Sequence, residues 1–216
     1  MPKTNWKTKS GGKALVVCNG DVLPRKKLLP LLWTTPFIVC ADGGANKARK
    51  LGITPDLIIG DLDSISPSTK KFYSGVKIIR VTSQESTDLE KALDYLVGKG
   101  FRSAVVVGAM GGRPDHAYAN FSIFKKYHKL VDLVFSDASC DIRIIEGKNI
   151  LDLPVGSLLS LMPFGRCDGI TTRGLEFPLL NESLEMGVRE GASNRVLASP
   201  VSIEIKKGSL LLFLVK

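Results

Sequence analysis

Up to about residue 146 the chain alternates between short, continuously apolar runs and stretches with helical spacing. The apolar runs are ALVVC (14–18), FIVCA (37–41), LIIG (57–60), VKIIRV (76–81), SAVVVG (103–108) and VDLVFS (131–136). Each is rich in β-branched residues, the pattern of a strand covered on both faces. Between them lie KKLLPLLW, ANKARKLG, SPSTKKFY, TDLEKALDYLVGKG and AYANFSIFKKYHK, whose patterns are helical. The alternation predicts an α/β fold, with a parallel, Rossmann-like sheet covered by helices. After residue 146 the helical spacing stops. GSLLSLMPF, GITTRGLEFPL, SNRVLASPVSIEI and KKGSLLLFLVK read as short strands broken by Gly, Pro and Asn. The expected organisation is therefore an α/β domain over 13–146 and a small all-β sandwich over 147–216. The second is too small for a secure core of its own and is expected to pack on the first domain or on a partner chain.

A chain of 216 residues, 44% hydrophobic and 24% charged, has the composition of a soluble globular protein. The opening MPKTNWKTKSGGK is basic and polar, so it does not read as a secretory signal. The stretch LLPLLWTTPFIVCA is broken by Pro30 and Pro36 and is too short to span a bilayer. Cys18, Cys40, Cys140 and Cys167 are far apart and form no CxxC pair. Three of them adjoin apolar runs, which points to reduced, buried thiols in a cytoplasmic protein. The net charge of +9 has three readings: solvated faces, a surface that attracts a polyphosphate substrate, or a nucleic-acid groove. The basic residues come in scattered pairs without interleaved aromatics, which disfavours the groove.

The unusual polar clusters all follow strands, where ligands gather in parallel sheets. They are CNGD (18–21), ADGGANKARK (41–50), GDLDS (60–64), and the pair QESTDLEK (84–91) and GAMGGRPDHAYAN (108–120). Asp61 and Asp63 share a face if extended and can converge in a turn. Two carboxylates brought together repel unless a cation or proton lies between them. Magnesium suits such a pair, because it takes hard oxygen ligands and keeps substrate phosphates in its shell. The alternative is that the acids cap the helix starting near Ser66–Pro67. Asp88 weighs against that alternative: Thr87 and Glu90 form a capping-box pattern, so Asp88 lies in the first turn of a helix at another strand end. GAMGGRPDH lets the backbone approach a phosphate, with Arg113 available as a two-pronged donor. It matches neither GxxxxGK[ST] nor GxGxxG. Gly43-Gly44 opens a helix and reads either as an anion site or as a tight strand-to-helix turn.

Taken together and in this order, ADGGAN, TPDLIIGDLDSI, QESTDLEKAL and GAMGGRPDHAYAN resemble the thiamine pyrophosphokinase family. GSLLSLMPF, TTRGLEFPL and GASNRV resemble the family's carboxy-terminal module, so the likeness runs from about Ala14 to Val215. It implies transfer of the pyrophosphoryl group of ATP to thiamine, giving thiamine diphosphate and AMP with Mg2+, on a nucleotide domain followed by a β-sandwich. It also implies a cytoplasmic homodimer with thiamine bound between subunits, and neither nucleic acid nor membrane as a partner. Carried over by motif, Asp61, Asp63 and Asp88 hold the metal, and Arg113 and Asp115 complete the catalytic set. Asn19, Asp42, Gly43, Gly44, Thr87, Lys91, Gly111 and Gly112 line the nucleotide and phosphate site. Gln84, Ser193 and Asn194 contact thiamine.

Two positions depart from the family pattern. Leu62 stands where Phe is common, and Gly191-Ala192-Ser193-Asn194 stands where Ser-Thr-Ser-Asn is usual. Two other functions use the same residues. One is a different Mg2+-dependent phosphotransferase or nucleotide hydrolase, and the other is a nucleotide- or nucleic-acid-binding module without catalysis.

Overall fold

The computed structural model describes residues 12–216. The first eleven residues, which hold most of the basic opening segment, lie outside them. The chain divides into two compact units at Ser139.

The first unit alternates strand and helix: β1 (Lys13–Val17), α1 (Arg25–Thr34), β2 (Phe37–Ala41), α2 (Gly44–Lys50), β3 (Leu57–Gly60), α3 (Pro67–Phe72), β4 (Lys77–Arg80), α4 (Asp88–Gly98), β5 (Ser103–Val107), α5 (Pro114–Tyr127) and β6 (Asp132–Ser136). Its strands run parallel in the order β6-β5-β1-β2-β3-β4. In β1, Leu15 and Val17 join Ile58, Val105 and Val107 in one core cluster with Leu28 of α1 and Ala45 and Ala48 of α2. Ala14 and Val16 point to the other face and are also buried, which is why the strand is apolar throughout. The edge strand β4 departs from that expectation. Its residues are exposed or half-buried, and Lys77 and Arg80 bracket Ile78 and Ile79, as suits a strand that must not pair further.

Helix α4 begins with the predicted capping box: the Glu90 amide donates to the Thr87 hydroxyl at 3.3 Å, and the Thr87 amide donates to Glu90 Oε2 at 3.0 Å. Helix α5 starts at Pro114, ahead of the apolar spacing that begins at Ala117. Proline at the first helical position lacks only an amide proton that would have had no intrahelical partner.

The second unit holds β7 (Cys140–Ile145), β8 (Lys148–Leu151), β9 (Leu158–Pro163), β10 (Arg166–Arg173), β11 (Leu180–Glu185), β12 (Gly191–Arg195), β13 (Val201–Glu204) and β14 (Leu210–Val215). One antiparallel group runs β12-β9-β14-β7 and the other β11-β10-β13-β8. Leu159, Leu161, Leu210 and Leu212 from the first meet Ile170, Leu184, Val201 and Ile203 from the second in a single core. The observed division at Ser139 differs from the expected one at 147. Strand β7 pairs antiparallel with β14, from Cys140↔Val215 to Ile145↔Leu210, so it belongs to the sandwich.

Candidate active site

In the first unit the strand order reverses at β1: β2, β3 and β4 lie on one side, β5 and β6 on the other. The carboxyl ends of a doubly wound sheet open a crevice at such a point. A cleft of about 650 Å³ lies there, lined by residues that follow β1, β2, β3 and β5 and by the start of α4.

Three carboxylates meet in this region. Asp42 follows β2, Asp61 follows β3, and Asp88 opens α4; one oxygen from each lies within 4.8 Å of the others. Gly60 makes the approach feasible, since a Cβ there would sit 2.7 Å from the Asp42 Cβ and 3.0 Å from Asp88 Oδ1. Asp42 is only 2% exposed. Its Oδ2 accepts from the Ser64 amide at 3.1 Å, while its Oδ1 is buried with no hydrogen-bond partner. An unpaired buried carboxylate oxygen beside two further carboxylates is costly unless a cation joins it. Burial and the neighbouring Asp88 raise its pKa, against the opposing pull of the Ser64 bonds. Asp61 shifts the other way. The Gln84 amide, donating to its Oδ2 at 3.1 Å, and the Asp63 backbone amide hold it below the usual carboxylate range. Lys91 donates to Asp88 Oδ1 at 3.0 Å from a side chain 4% exposed.

Asp63 lies outside this triad. Leu62 takes a left-handed backbone (φ 71°), and Asp61 Oδ1 folds back to accept from the Asp63 amide at 3.3 Å. The turn leaves Asp63 exposed, with its carboxylate accepting from the Ser64 hydroxyl at 2.8 Å. Asp42 takes the third place. The ADGGAN motif marked Asp42 for the nucleotide site, not for the metal.

The Gly-rich segment after β5 is tied in place from three sides. The Gly20 amide donates to the Gly108 carbonyl at 2.9 Å, the Asp21 amide donates to the Met110 carbonyl at 2.9 Å, and Asn120 Nδ2 donates to the Ala109 carbonyl at 2.6 Å. Gly111 has φ 81°, and a Cβ there would lie 2.3 Å from Asp21 Oδ2, so both conformation and space call for glycine. Gly111, Gly112, Asn19 and Gly43 line the cleft. Gly44 is instead buried against β1, where a Cβ would fall 1.9 Å from the Val17 carbonyl oxygen. Of the two expectations for Gly43-Gly44, the tight turn accounts for Gly44. Arg113, at the mouth, gives both prongs to Asp115: Nε to Oδ1 at 3.1 Å and Nη2 to Oδ2 at 2.6 Å. That pairing lowers the Asp115 pKa to about 2.

Ser193 and Asn194 lie on β12 in the second unit. Ser193 is exposed, with a left-handed φ of 55°. Asn194 is buried, and its amide bonds to the backbone of Phe177 and Arg195.

Fold and site together define an α/β protein with an acidic cleft at the switch point of its parallel sheet, followed by a β-sandwich. Residues 29–135 match the family model for the thiamin pyrophosphokinase catalytic domain. Residues 142–210 match the model for that enzyme's vitamin B1 binding domain. Among curated proteins, thiamine pyrophosphokinase 2 of rice is 34% identical over 94% of this chain and 87% of its own length. Thiamine pyrophosphokinase 1 of Arabidopsis thaliana is 31% identical over 88% and 82%. The solved thiamine pyrophosphokinase from Bacillus subtilis superposes with a TM-score of 0.83 at 22% identity, covering 94% of this chain and 99% of that one. The one from Candida albicans gives 0.84 at 22% identity, covering 95% and 89%. These two likenesses establish the fold. The chain belongs to the thiamine pyrophosphokinase family.

Proposed function

We propose that this chain transfers the pyrophosphoryl group of ATP to the hydroxyl of thiamine, giving thiamine diphosphate and AMP. The observation that carries the reading is the triad of Asp42, Asp61 and Asp88, with its orphaned oxygen, in the strand-end cleft of a chain from this family. Three carboxylates and the one ammonium of Lys91 leave two negative charges, which a divalent cation balances. The donors are all hard oxygens, the ligand set that suits Mg2+. When bound, Mg2+ neutralises phosphate charge so that an alcohol can approach.

The chain's own groups do the rest by position and charge. Lys91, held against Asp88, keeps a buried positive charge beside the phosphates. Thr87 accepts from Glu90 with its hydroxyl oxygen and keeps its proton for a phosphate oxygen. The backbone of Gly111 and Gly112, beside Asn19 and Gly43, lines the phosphate path. Arg113 exchanges one Asp115 oxygen for a phosphate oxygen as charge builds on the leaving AMP. Asp63, on the solvent side of the same turn, would add a hard oxygen ligand for Mg2+ bound together with the nucleotide. Its replacement by Asn is therefore expected to impair turnover while leaving metal binding by the nucleotide-free protein unchanged. Ser193 contributes to the thiamine site from the sandwich. This reading includes a homodimer, and the second unit exposes Phe177, Leu180, Met186, Val188 and Leu197. The same reading makes the enzyme cytoplasmic and leaves it without nucleic acid or membrane as a partner.

The decisive experiment incubates the protein with thiamine, ATP and Mg2+ and separates the products. AMP formed in equal amount with thiamine diphosphate supports the reading. ADP with thiamine monophosphate, or nucleotide hydrolysis indifferent to thiamine, overturns it.

Gln84 links the two substrates. A carboxylate only accepts, so the atom facing Asp61 is the Gln84 NH2 group, and its carbonyl oxygen is left to accept from a donor on the thiamine pyrimidine. Gln84→Ala should raise the thiamine KM about tenfold, the size of one lost hydrogen bond, and leave the ATP KM nearly unchanged. Steady-state kinetics with each substrate varied in turn checks this; an equal rise in both constants contradicts it.

A further inference from the structure

Strand β12 carries a bulge where its sequence departs from the family pattern. Gly191 pairs with Leu161 and Asn194 with Leu159, so Ala192 and Ser193 together face Ser160. The extra residue is accommodated by the left-handed Ser193, whose amide donates to Ser160 Oγ at 2.9 Å. The bulge shifts the alternation of side chains, leaving Ser193 exposed and turning Asn194 inward to 6% exposure.

Inside, the Asn194 carboxamide makes three hydrogen bonds to the backbone. Its Nδ2 donates to the Phe177 carbonyl at 2.7 Å, and its Oδ1 accepts from the Phe177 amide at 3.1 Å and from the Arg195 amide at 2.8 Å. Toward Phe177 it acts as one more residue of a strand, giving and taking a bond with the same backbone unit. The neighbouring backbone continues the zipper: the Glu176 amide donates to the Arg195 carbonyl at 2.9 Å, and the Leu197 amide to the Gly174 carbonyl at 2.8 Å. The Phe177 backbone is thereby pinned beside β12, next to Asn194, and the residue is 64% exposed.

We infer that Asn194 is a positioning residue for the acceptor substrate: it locks the Ser193 bulge and the Phe177 turn into one rigid edge and does not itself touch thiamine. The inference rests on the reading above, in which Ser193 serves the thiamine site, and it reverses the role that the family motif implies for Asn194. To turn toward a ligand, this buried amide would have to give up its paired bonds to Phe177, leaving a backbone donor and acceptor unpaired.

The test is thiamine affinity measured by calorimetry on the whole protein, with a non-hydrolysable ATP analogue as the second ligand. Asn194→Asp keeps size and acceptor but sets a carboxylate oxygen against the Phe177 carbonyl. It should weaken thiamine binding about tenfold, as for one broken buried bond, with the ATP analogue unaffected. Repeated in a Ser193→Ala, Phe177→Ala background, the same substitution should change thiamine affinity less than twofold, because positioning acts only through those side chains. Full additivity would overturn the inference and make Asn194 a direct contact. If Ser193→Ala and Phe177→Ala together leave thiamine affinity unchanged, the edge is not the thiamine site and the inference falls with that assignment, while the AMP assay still judges the reaction. Hydrogen exchange on the unmodified protein guards against a variant that fails to fold. Protection of the Phe177 amide should persist when thiamine binds, and its loss would mean that Asn194 turns to the ligand.

Discussion

Asp42→Asn should abolish most turnover and at the same time make the metal-free protein more stable. The carboxyl of Asp42 is held above its usual range by burial and by Asp88 and Asp61, so the folded state binds its proton more tightly than the unfolded chain does. Such a group favours folding most in acid, below its unfolded pKa of about 4, and that contribution is lost as pH rises through the folded value. In the metal-free protein Asp42 Oδ1 is buried without a hydrogen-bond partner, beside the carboxyl groups of Asp61 and Asp88. Asparagine removes the charge and sets an NH2 group among the oxygens of Asp61 and Asp88. A gain on the order of 1 kcal/mol is typical when strain at a functional site is relieved. The rate should fall roughly a hundred- to a thousandfold, as when one preorganised electrostatic contact is removed. Mn2+ binding, followed by calorimetry or by loss of the free-ion resonance signal, should weaken in parallel. Asp61→Asn supplies the contrast. Its carboxyl is held low, chiefly by Gln84, so it favours folding above the unfolded pKa, and that contribution is lost as pH falls through the folded value. Its replacement should cost comparable activity without any rise in melting temperature. An Asp42→Asn protein with normal Mn2+ affinity and turnover would remove Asp42 from the metal site.

The paired substitutions also show what the sequence made legible. The six strands and five helices of the first unit follow from apolar runs and helical spacing, because burial on both faces leaves every strand but the edge strand β4 little choice of composition. Asp88 was legible for a related reason, since a capping box marks a helix start within one residue. The place of Asp63 was not. Spacing of two residues says that side chains share a face only if the backbone is extended, and Leu62 in the left-handed region breaks that condition. The burial of Asn194 was hidden in the same way, because a bulge moves every later side chain to the opposite face and leaves no mark in the alternation. Strand β7 was assigned to the wrong unit because its partner, β14, is about seventy residues away, beyond the reach of local pattern. Local chemistry thus marked the candidate residues. Backbone turns, decided by single residues, settled which of them meet.

Gly60→Ala should disable the carboxylate triad with a single methyl group. Gly60 is the last residue of β3, paired with Arg80 in the ladder, and its carbonyl accepts from the Val81 amide at 2.8 Å, so its backbone is fixed on the β4 side. A Cβ would lie 2.7 Å from the Asp42 Cβ, 3.2 Å from the Asp42 Cα and 3.0 Å from Asp88 Oδ1. Two of these neighbours belong to Asp42, one of them backbone, and cannot swing aside as a flexible side chain would. The methyl group must therefore push Asp42 away from Asp88 and open the triad. Overpacking of this kind costs about 1–3 kcal/mol, which in a protein of this size lowers the melting temperature by roughly 2–4 °C per kcal/mol. The larger effect is on rate, since a displacement of about 1 Å in a catalytic arrangement can cost on the order of a hundredfold. Gly98→Ala is the control: it lies at the end of α4, a Cβ there meets nothing within 4 Å, and alanine favours the helix. That variant should keep full activity and melt slightly higher. The Gly60→Ala protein should unfold cooperatively, showing an intact fold, yet bind Mn2+ poorly and turn over slowly. Normal metal affinity in that protein would mean that the three carboxylates do not work as one site.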